Sequence, residues 1–485
     1  MRNIAHLNTG RLFPWVVLLV AFMIRLLPVW WGRDLTIGLD DMFQYDMIAR
    51  SIASGHGFRW YALPDLNLIQ PYLPADLAAT PGYDPNGVIT GFRAPLYPLL
   101  LAIIYKIVGA GAERFLAARL VQALMGASLA PLTFMASLYF FPQKEKAARF
   151  AAWVLALYPI LLIFPLALAT ENLFFILFLG SAIALLWAAQ RPSSWRFLLP
   201  GILLGLTALT RSIVLVSSTL VILWIWFYLR NRRGAIITAG SMLLVIAPWM
   251  VRNQFIFHRP VIELSMGYNL YMGYHPLSTG DFQYGISLDL MNTLDDGLRD
   301  TQGTSLAMGF IRSDPGRVPY LALRRLGYFW GLERRGLTFF YSNDFFGHLP
   351  FGVLLSAALI LLLPFVIVST SAAVGFALIT WDRNAVLLAL LVGGYILPNI
   401  LILSEDRFHL ALIPFLAIIA SQFWSGGWSA VAGRWHGSAF SKVMLSLACL
   451  AVFFLFLNWG MELYRDADKL VLLFGPHGNT THFTY

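Results

Sequence analysis

Long apolar runs recur along the chain at 12–31, 94–109, 115–140, 150–168, 172–189, 196–210, 212–229, 235–251, 347–370, 385–403, 409–424 and 441–460. Most could bridge a hydrocarbon core of ~30 Å as helices. Two polar stretches, 32–93 and 253–346, break the pattern. With 485 residues, 58% of them hydrophobic and only 12% charged, the chain is far from the ~25% charged residues of a globular domain. The pattern predicts an all-α polytopic membrane protein. Neither a short internal repeat nor a low-complexity linker interrupts it.

Charge then orients the runs. Arg2 and Arg11 place the amino terminus in the cytoplasm. If every run crossed, QKEKAAR (143–149) and RNRR (230–233) would lie outside, against the positive-inside rule. The run 94–109 is short, carries Lys106 and begins with Pro95 and Pro98, so it is predicted not to cross. The basic segments at 143–149, 191–196, 230–233, Arg383 and Arg434–Lys442 then all become cytoplasmic. About 11 spanning helices follow, with the carboxy terminus outside. Residues 1–460 form the predicted membrane domain. It includes a first extracytoplasmic loop, 32–114, with amphipathic juxtamembrane helices, and a large one, 253–346; 461–485 form a short outer tail. No small-residue cleavage site follows the first run, which reads as an uncleaved helix. The net charge of +9 is assigned to topology rather than nucleic acid, because no basic stripe or nucleic-acid motif accompanies it. Cys449 is the sole cysteine, so no disulfide framework or cysteine metal site is expected.

On this topology Asp40, Asp41, Arg93, Glu171, Arg211, Arg252, Glu405, Asp406 and Arg407 all reach the extracytoplasmic face. Charges at the ends of membrane helices are costly, so each is a functional candidate. Phe43, Met47, Ile48 and Ile52 recur at helical spacing, which predicts an amphipathic helix on the outer leaflet starting at Asp41 and ended by Gly55 and Gly57. One acid suffices to cap that helix; two adjacent acids in an acid-poor chain point to chemistry. Arg93, Arg211 and Arg252 have a plain reading as helix-end cations. At headgroup level, however, Arg93 would hold a lipid phosphate through paired hydrogen bonds, and Arg407 either pairs with its neighbouring acids or supplies a second phosphate contact in the same cavity. Thr170 and Glu171 are either a cap or part of a polar site. GYNLYMGYHPLSTGDF (267–282), with Asn269, has the composition of a binding loop. RVPYLALRRLGYFWGLERR (317–335) reads as an interfacial helix.

In order along the chain stand the Asp40–Asp41 pair with Tyr45 and Ala49 after it, FRAPLYPLLLA (92–102), TENLFF (170–175), ALTRS (208–212), PWMVRN (248–253), GYNLYMGYHP (267–276) and DRFHLALIPFLA (406–417). This ordered set resembles the multi-spanning GT-C glycosyltransferases of family 39, which include protein O-mannosyltransferases and bacterial lipid A aminoarabinose transferases. The resemblance covers roughly residues 12–420. It implies a GT-C-like bundle in the bacterial inner membrane and a polyprenyl-phosphate-linked sugar as donor. The family's first acid, the base, corresponds to Asp40, with Asp41 in place of its usual Glu. An acid four residues before the Tyr, as in some relatives, would choose Asp41 instead. Arg93 and Arg407 correspond to its phosphate-binding cations. Tyr45, Glu171, Arg211, Arg252, His409 and Asn269 complete the candidate substrate-binding set.

The expected activity is an inverting transfer of a hexosyl or pentosyl group from the lipid phosphate to an acceptor hydroxyl of a protein, lipid or glycan. No cofactor is assigned, although Asp40, Asp41 and Glu171 could hold a divalent cation. The rivals are a transporter or flippase for lipid-linked sugars, a glycan polymerase or ligase, and a non-catalytic scaffold. A transporter predicts polar residues deep in several helices, whereas these runs are largely clean at their centres.

Overall fold

The computed structural model describes residues 12–72, 76–80, 82–191, 193–291 and 293–481. Arg2 and Arg11 lie outside the described residues. Helices dominate, as the pattern predicts. The described strands are the two-residue pair Arg59–Trp60 and Val88–Ile89, antiparallel with Arg59 opposite Ile89.

Among the described residues, eight helices are long and apolar enough to cross a membrane. They are Phe13–Trp31, Glu113–Phe140, Glu171–Ala189, Arg232–Phe257, Phe351–Leu378, Arg383–Leu401, Asp406–Trp435 and Ala439–Arg465. Glu145–Leu157 and Pro159–Leu166, joined across a 52° bend, make a ninth if the bent pair is counted as one span. The runs at 196–210 and 212–229 form Ser194–Ala208 and Val214–Tyr228, which belong to a shorter class of 10–17 residues and fail that length test. The expected number of about eleven is reached only by counting these two short helices with the bent pair. The segment predicted not to cross is the short helix Leu96–Val108.

The basic loops gather at one end of the bundle. Lys144 Nζ donates to Gln422 at 2.8 Å, Asn384 to the Tyr139 carbonyl at 3.1 Å, and Ser194 to Asn231 at 2.9 Å. The opposite ends of the same helices surround the cavity described below.

The bend after Leu157 shows how the interior manages a broken helix. Pro159 has no N–H, so the Leu155 carbonyl four residues earlier lacks its usual donor. Arg25, fully buried in the first helix, fills the gap. Its guanidinium donates to Leu155 O at 2.9 Å and to Ala156 O at 3.1 Å. Arg119 likewise donates to Leu166 O at 3.1 Å and Gly32 O at 3.0 Å. Away from water, an unpaired carbonyl costs several kcal/mol, and these arginines remove that cost.

Two loop expectations change. The helix Asp41–Ala53 is not laid on lipid: Met42, Phe43, Tyr45, Asp46, Met47, Ile48 and Ala49 are all buried against protein. Its apolar stripe faces Leu96–Val108 and the small sheet. The predicted interfacial helix is Arg317–Phe329, and Arg325 on it is buried, not snorkelling. Arg325 donates to Leu401 O at 2.8 Å and to Gly273 O, tying a bundle helix to the outer loop. Within that loop, Met266–Tyr274 and Asp296–Ser313 pack backbone to backbone. A Cβ on Gly267 would stand 1.9 Å from Asp300 O, and one on Gly303 2.6 Å from Gly267 O, so only glycine permits this approach.

Arg25→Met is expected to lower stability by about 1–3 kcal/mol by orphaning the Leu155 carbonyl. Thermal unfolding of the detergent-purified protein measures this. Adding Pro159→Ala, which restores the missing N–H, is expected to recover part of the loss.

Candidate functional site

Asp40 and Asp41 start the helix Asp41–Ala53. Asp40 is the N-cap and accepts the Met42 N–H at 2.9 Å, which turns its side chain back over the helix start. Asp41 is the first helical residue and points the other way, into the bundle. One of its oxygens takes the Arg93 guanidinium; the other takes Arg407 Nη2 at 3.0 Å. Asp41 and Arg407 are 366 positions apart in the chain.

Further contacts fix both arginines. Arg93 donates to Gln44 Oε1 through Nε at 2.9 Å and Nη2 at 2.6 Å, and its guanidinium lies 5.2 Å from the Tyr45 ring centre. Arg407 pairs with Glu405 at 2.9 Å, and Arg335 holds Glu405 and Asp406 at 2.8 Å each. Arg211 pairs with Glu171 at 2.7 Å, and Thr170 Oγ1 donates to Glu171 at 3.1 Å. Among the described residues the Nη1 groups of Arg93 and Arg407 make no hydrogen bond, so each guanidinium keeps donors free.

These groups line one cavity of about 1510 Å³. Of the predicted residues, Asp40, Asp41, Tyr45, Arg93, Glu171, Arg211, Asn269 and Arg407 lie on its wall. Arg252 and His409 do not. Arg252 stacks on Trp249, 4.6 Å from its ring centre, and donates to the Thr90 carbonyl at 2.8 Å. It fixes the segment that leads to Arg93. His409 is fully buried: Nδ1 lies 2.7 Å from Phe329 O, Nε2 lies 3.0 Å from Glu333, and the ring stacks on Phe365 at 4.0 Å. The short helical turn at 406–412 sends neighbouring side chains to opposite sides, so Arg407 faces the cavity and His409 the core.

The segment before Arg93 is clamped from three directions. Asp296 accepts from Thr90 Oγ1 at 2.6 Å and Gly91 N at 2.8 Å, Arg252 holds the Thr90 carbonyl, and Leu264 N donates to Gly91 O at 2.8 Å. A Cβ on Gly91 would meet Leu264 at 2.8 Å, which explains the glycine. The residues not foreseen are Gln44, Asp296, Glu263 and Arg335. Gln44 follows Asp41 by three positions, one helical turn, and was legible from that spacing. Asp296 and Glu263 carry no local signal in a loop of ordinary polar composition.

The adjacent acids have opposite electrostatics. Burial works to raise the Asp41 carboxyl, but Arg93 and Arg407 outweigh it and hold it well below the usual carboxylate range. Asp40 is raised, first by loss of solvation and then by the charge of Asp41. Burial also pushes the Tyr45 hydroxyl up to about 12. Among the described residues no three His, Cys, Asp or Glu side chains come together as a metal site. Asp40, Asp41 and Glu171 are therefore not gathered as a cation site would need: Asp41 and Glu171 each face arginine.

No family model matches the chain, and no curated protein matches it. Solved structures do. One is the oligosaccharyltransferase of Archaeoglobus fulgidus in complex with Zn and sulfate, at 15% identity and a TM-score of 0.48, covering 97% of this chain and 58% of that one. A second is the archaeal oligosaccharyltransferase AglB from Archaeoglobus fulgidus in complex with an inhibitory peptide and a dolichol-phosphate, at 15% identity and a TM-score of 0.49, covering 99% and 61%. A third is ArnT from Cupriavidus metallidurans bound to undecaprenyl phosphate, at 14% identity and a TM-score of 0.40, covering 88% and 80%. The chain spans about three-fifths of the length of the archaeal structures it matches.

The two acids are expected to respond oppositely to amidation. A depressed carboxylate stabilises the fold above its unfolded pKa of ~3.9, and that stability is lost as pH falls through its folded value. Asp41→Asn should therefore lower the melting temperature at neutral pH, by an amount corresponding to about 1–3 kcal/mol for a partly solvated double ion pair, with the gap closing below about pH 4. Asp40→Asn keeps the cap and removes an unfavourable charge, so it should melt at or above the wild type at neutral pH, the difference fading as pH falls. Melting curves of the three proteins across pH check both signs.

Proposed function

We propose that the chain is a membrane glycosyltransferase that moves a sugar from a polyprenyl-phosphate donor to an acceptor hydroxyl, with inversion at the anomeric carbon. The observation that carries this reading is the Asp41 carboxylate held between Arg93 and Arg407 on the cavity wall, beside the Asp40 carboxylate, which makes no ion pair among the described residues. Asp41 aligns the two guanidiniums while their Nη1 groups stay open. Two fixed donors of that kind suit a phosphate oxygen.

In the proposed step the acceptor oxygen attacks the anomeric carbon, and its proton passes to the Asp40 carboxylate. The bond from that carbon to the phosphate oxygen breaks, and its electron pair stays on the lipid phosphate. The leaving group thus gains one negative charge where Arg93 and Arg407 stand. Asp40 suits the base because among the described residues it makes no ion pair and its basicity is raised; Asp41, tied to two arginines and lowered in basicity, suits positioning. The apolar part of the wall, with Ile160, Ile163, Phe339 and Phe340, suits the prenyl chain. The basic loops at the other end of the bundle suit a cytoplasmic face, which puts this site on the opposite side.

Asp40→Asn is expected to cut the transfer rate about 10²–10⁴-fold while the affinity for undecaprenyl phosphate stays within about threefold. Arg407→Gln should cost about 10²–10³-fold in rate and weaken that affinity as well. Transfer from a labelled lipid-linked sugar and direct binding of the lipid phosphate separate the two. Loss of less than about tenfold for Asp40→Asn would remove Asp40 as the base. A second check is topological: single cysteines at positions 40 and 407 in a Cys449→Ser background should react from the same side of the membrane, and one at 144 from the other.

A further inference from the structure

The carboxylates on the cavity wall are nearly all matched by cations: Asp41 by Arg93 and Arg407, Glu171 by Arg211, Glu405 by Arg335 and Arg407, Asp406 by Arg335, Asp300 by Arg259. Asp40, the proposed base, and Glu263 have no such ion pair among the described residues. Glu263 accepts from Ser212 Oγ at 2.7 Å and from the Ser212 backbone N–H; the charges of Arg211 and Arg93 act on it, but among the described residues neither forms an ion pair with it. Burial raises its pKa. Part of its four-lone-pair capacity remains unused on a wall that also carries Ser212, Arg211 and Arg93.

The backbone around Glu263 is built to hold that carboxylate still. Trp249 Nε1 donates to Ile262 O at 2.8 Å, Asn253 Nδ2 to Val261 O at 2.8 Å, and Leu264 N to Gly91 O at 2.8 Å. Ile262 and Leu264 are buried on either side, and Glu263 is the polar residue of the three on the cavity wall. The Gly91–Leu264 bond sits two residues from Arg93, so the separation of Glu263 from the proposed phosphate clamp is fixed through backbone. A rigid carboxylate with no ion-pair partner and spare acceptor capacity in a partly enclosed cavity suits a ligand that uses it.

We infer that Glu263, with Ser212, is the recognition site for hydroxyl groups of the donor's sugar, and so sets which sugar is accepted. This rests on the reading of the cavity as a lipid-phosphate-sugar site. Arg93 and Arg407 would read the phosphate common to all such donors. Glu263 would accept one or two sugar hydroxyls, and Ser212 Oγ, whose proton already points to Glu263, would accept another. A neutral hydroxyl fits better than an anion, which the Glu263 charge would repel. Glu263 is a positioning residue here: it takes no part in bond making.

The test compares binding of bare undecaprenyl phosphate with that of undecaprenyl phosphoryl glucose, mannose and galactose by the full chain in nanodiscs. Wild type is expected to prefer at least one sugar lipid over the bare lipid by about tenfold or more. Glu263→Ala should erase most of that preference, Glu263→Gln should reduce it or shift it between sugars, and Ser212→Ala should weaken it less. All three should bind the bare lipid within about twofold of wild type. The inference is overturned if the variants keep the wild-type preference, if they lose affinity for bare and sugar lipids alike, or if wild type shows no preference. Failure of wild type to bind bare undecaprenyl phosphate would instead remove the phosphate reading, and this inference with it.

Discussion

A guanidinium taken out of bulk water must find a fixed acceptor, and in this protein the kind of acceptor separates framework from site. Arg25, Arg119 and Arg325 donate to backbone carbonyls at helix ends or breaks. Those donors are spent on the framework, and Leu401 O also accepts from Tyr274 Oη at 2.7 Å. Arg93, Arg211, Arg335 and Arg407 face carboxylates around one cavity. A carboxylate orients a guanidinium yet uses only part of its five-donor fork, and the remainder can receive an oxyanion. Both sets look alike as isolated arginines near apolar runs.

The acid pair divides its labour for a local geometric reason. The N-cap residue sits outside the helical dihedrals and turns its side chain back to the first free N–H groups; the next residue is helical and points outward from the axis. Asp40 and Asp41 are therefore sent in different directions by helix geometry before any tertiary contact forms. Packing of the helix Asp41–Ala53 against Leu96–Val108 then decides that outward, for Asp41, means toward Arg93 and Arg407. That packing is also why the helix is buried.

The outer loop 253–346 is structural as well as cavity-forming. Asp296 and Leu264 hold Thr90 and Gly91 from one side, and Arg252, which also donates to Asn253 Oδ1, holds Thr90 from another. The PWMVRN stretch thereby serves the site at one remove: Trp249 and Asn253 set the backbone carrying Glu263, and Arg252 sets the one carrying Arg93. The buried Tyr158–Glu333–His409 cluster plays a comparable part in the core, with both side chains on one Glu333 oxygen, His409 at 3.0 Å and Tyr158 at 2.7 Å.

Hydrophobic periodicity by itself determined the helical class, the membrane spans longer than the bilayer and the two interrupting loops, because a spanning helix must be apolar over its whole length whatever its neighbours are. Charge placement along the chain likewise marked Asp40, Asp41, Arg93, Glu171, Arg211 and Arg407, since charges in so apolar a chain are rare enough to stand out. Tertiary structure alone decided which of those charges meet. Arg252 and His409 carry the same local signal as Arg211 and Arg407, yet they turn to a loop carbonyl and to the core. Asp296 and Glu263 carry none, yet they sit against residues roughly 50 to 200 positions away. A pairing between distant segments depends on how the helices cross and how the loops close, and neither leaves a periodic trace in the residues that make the contact.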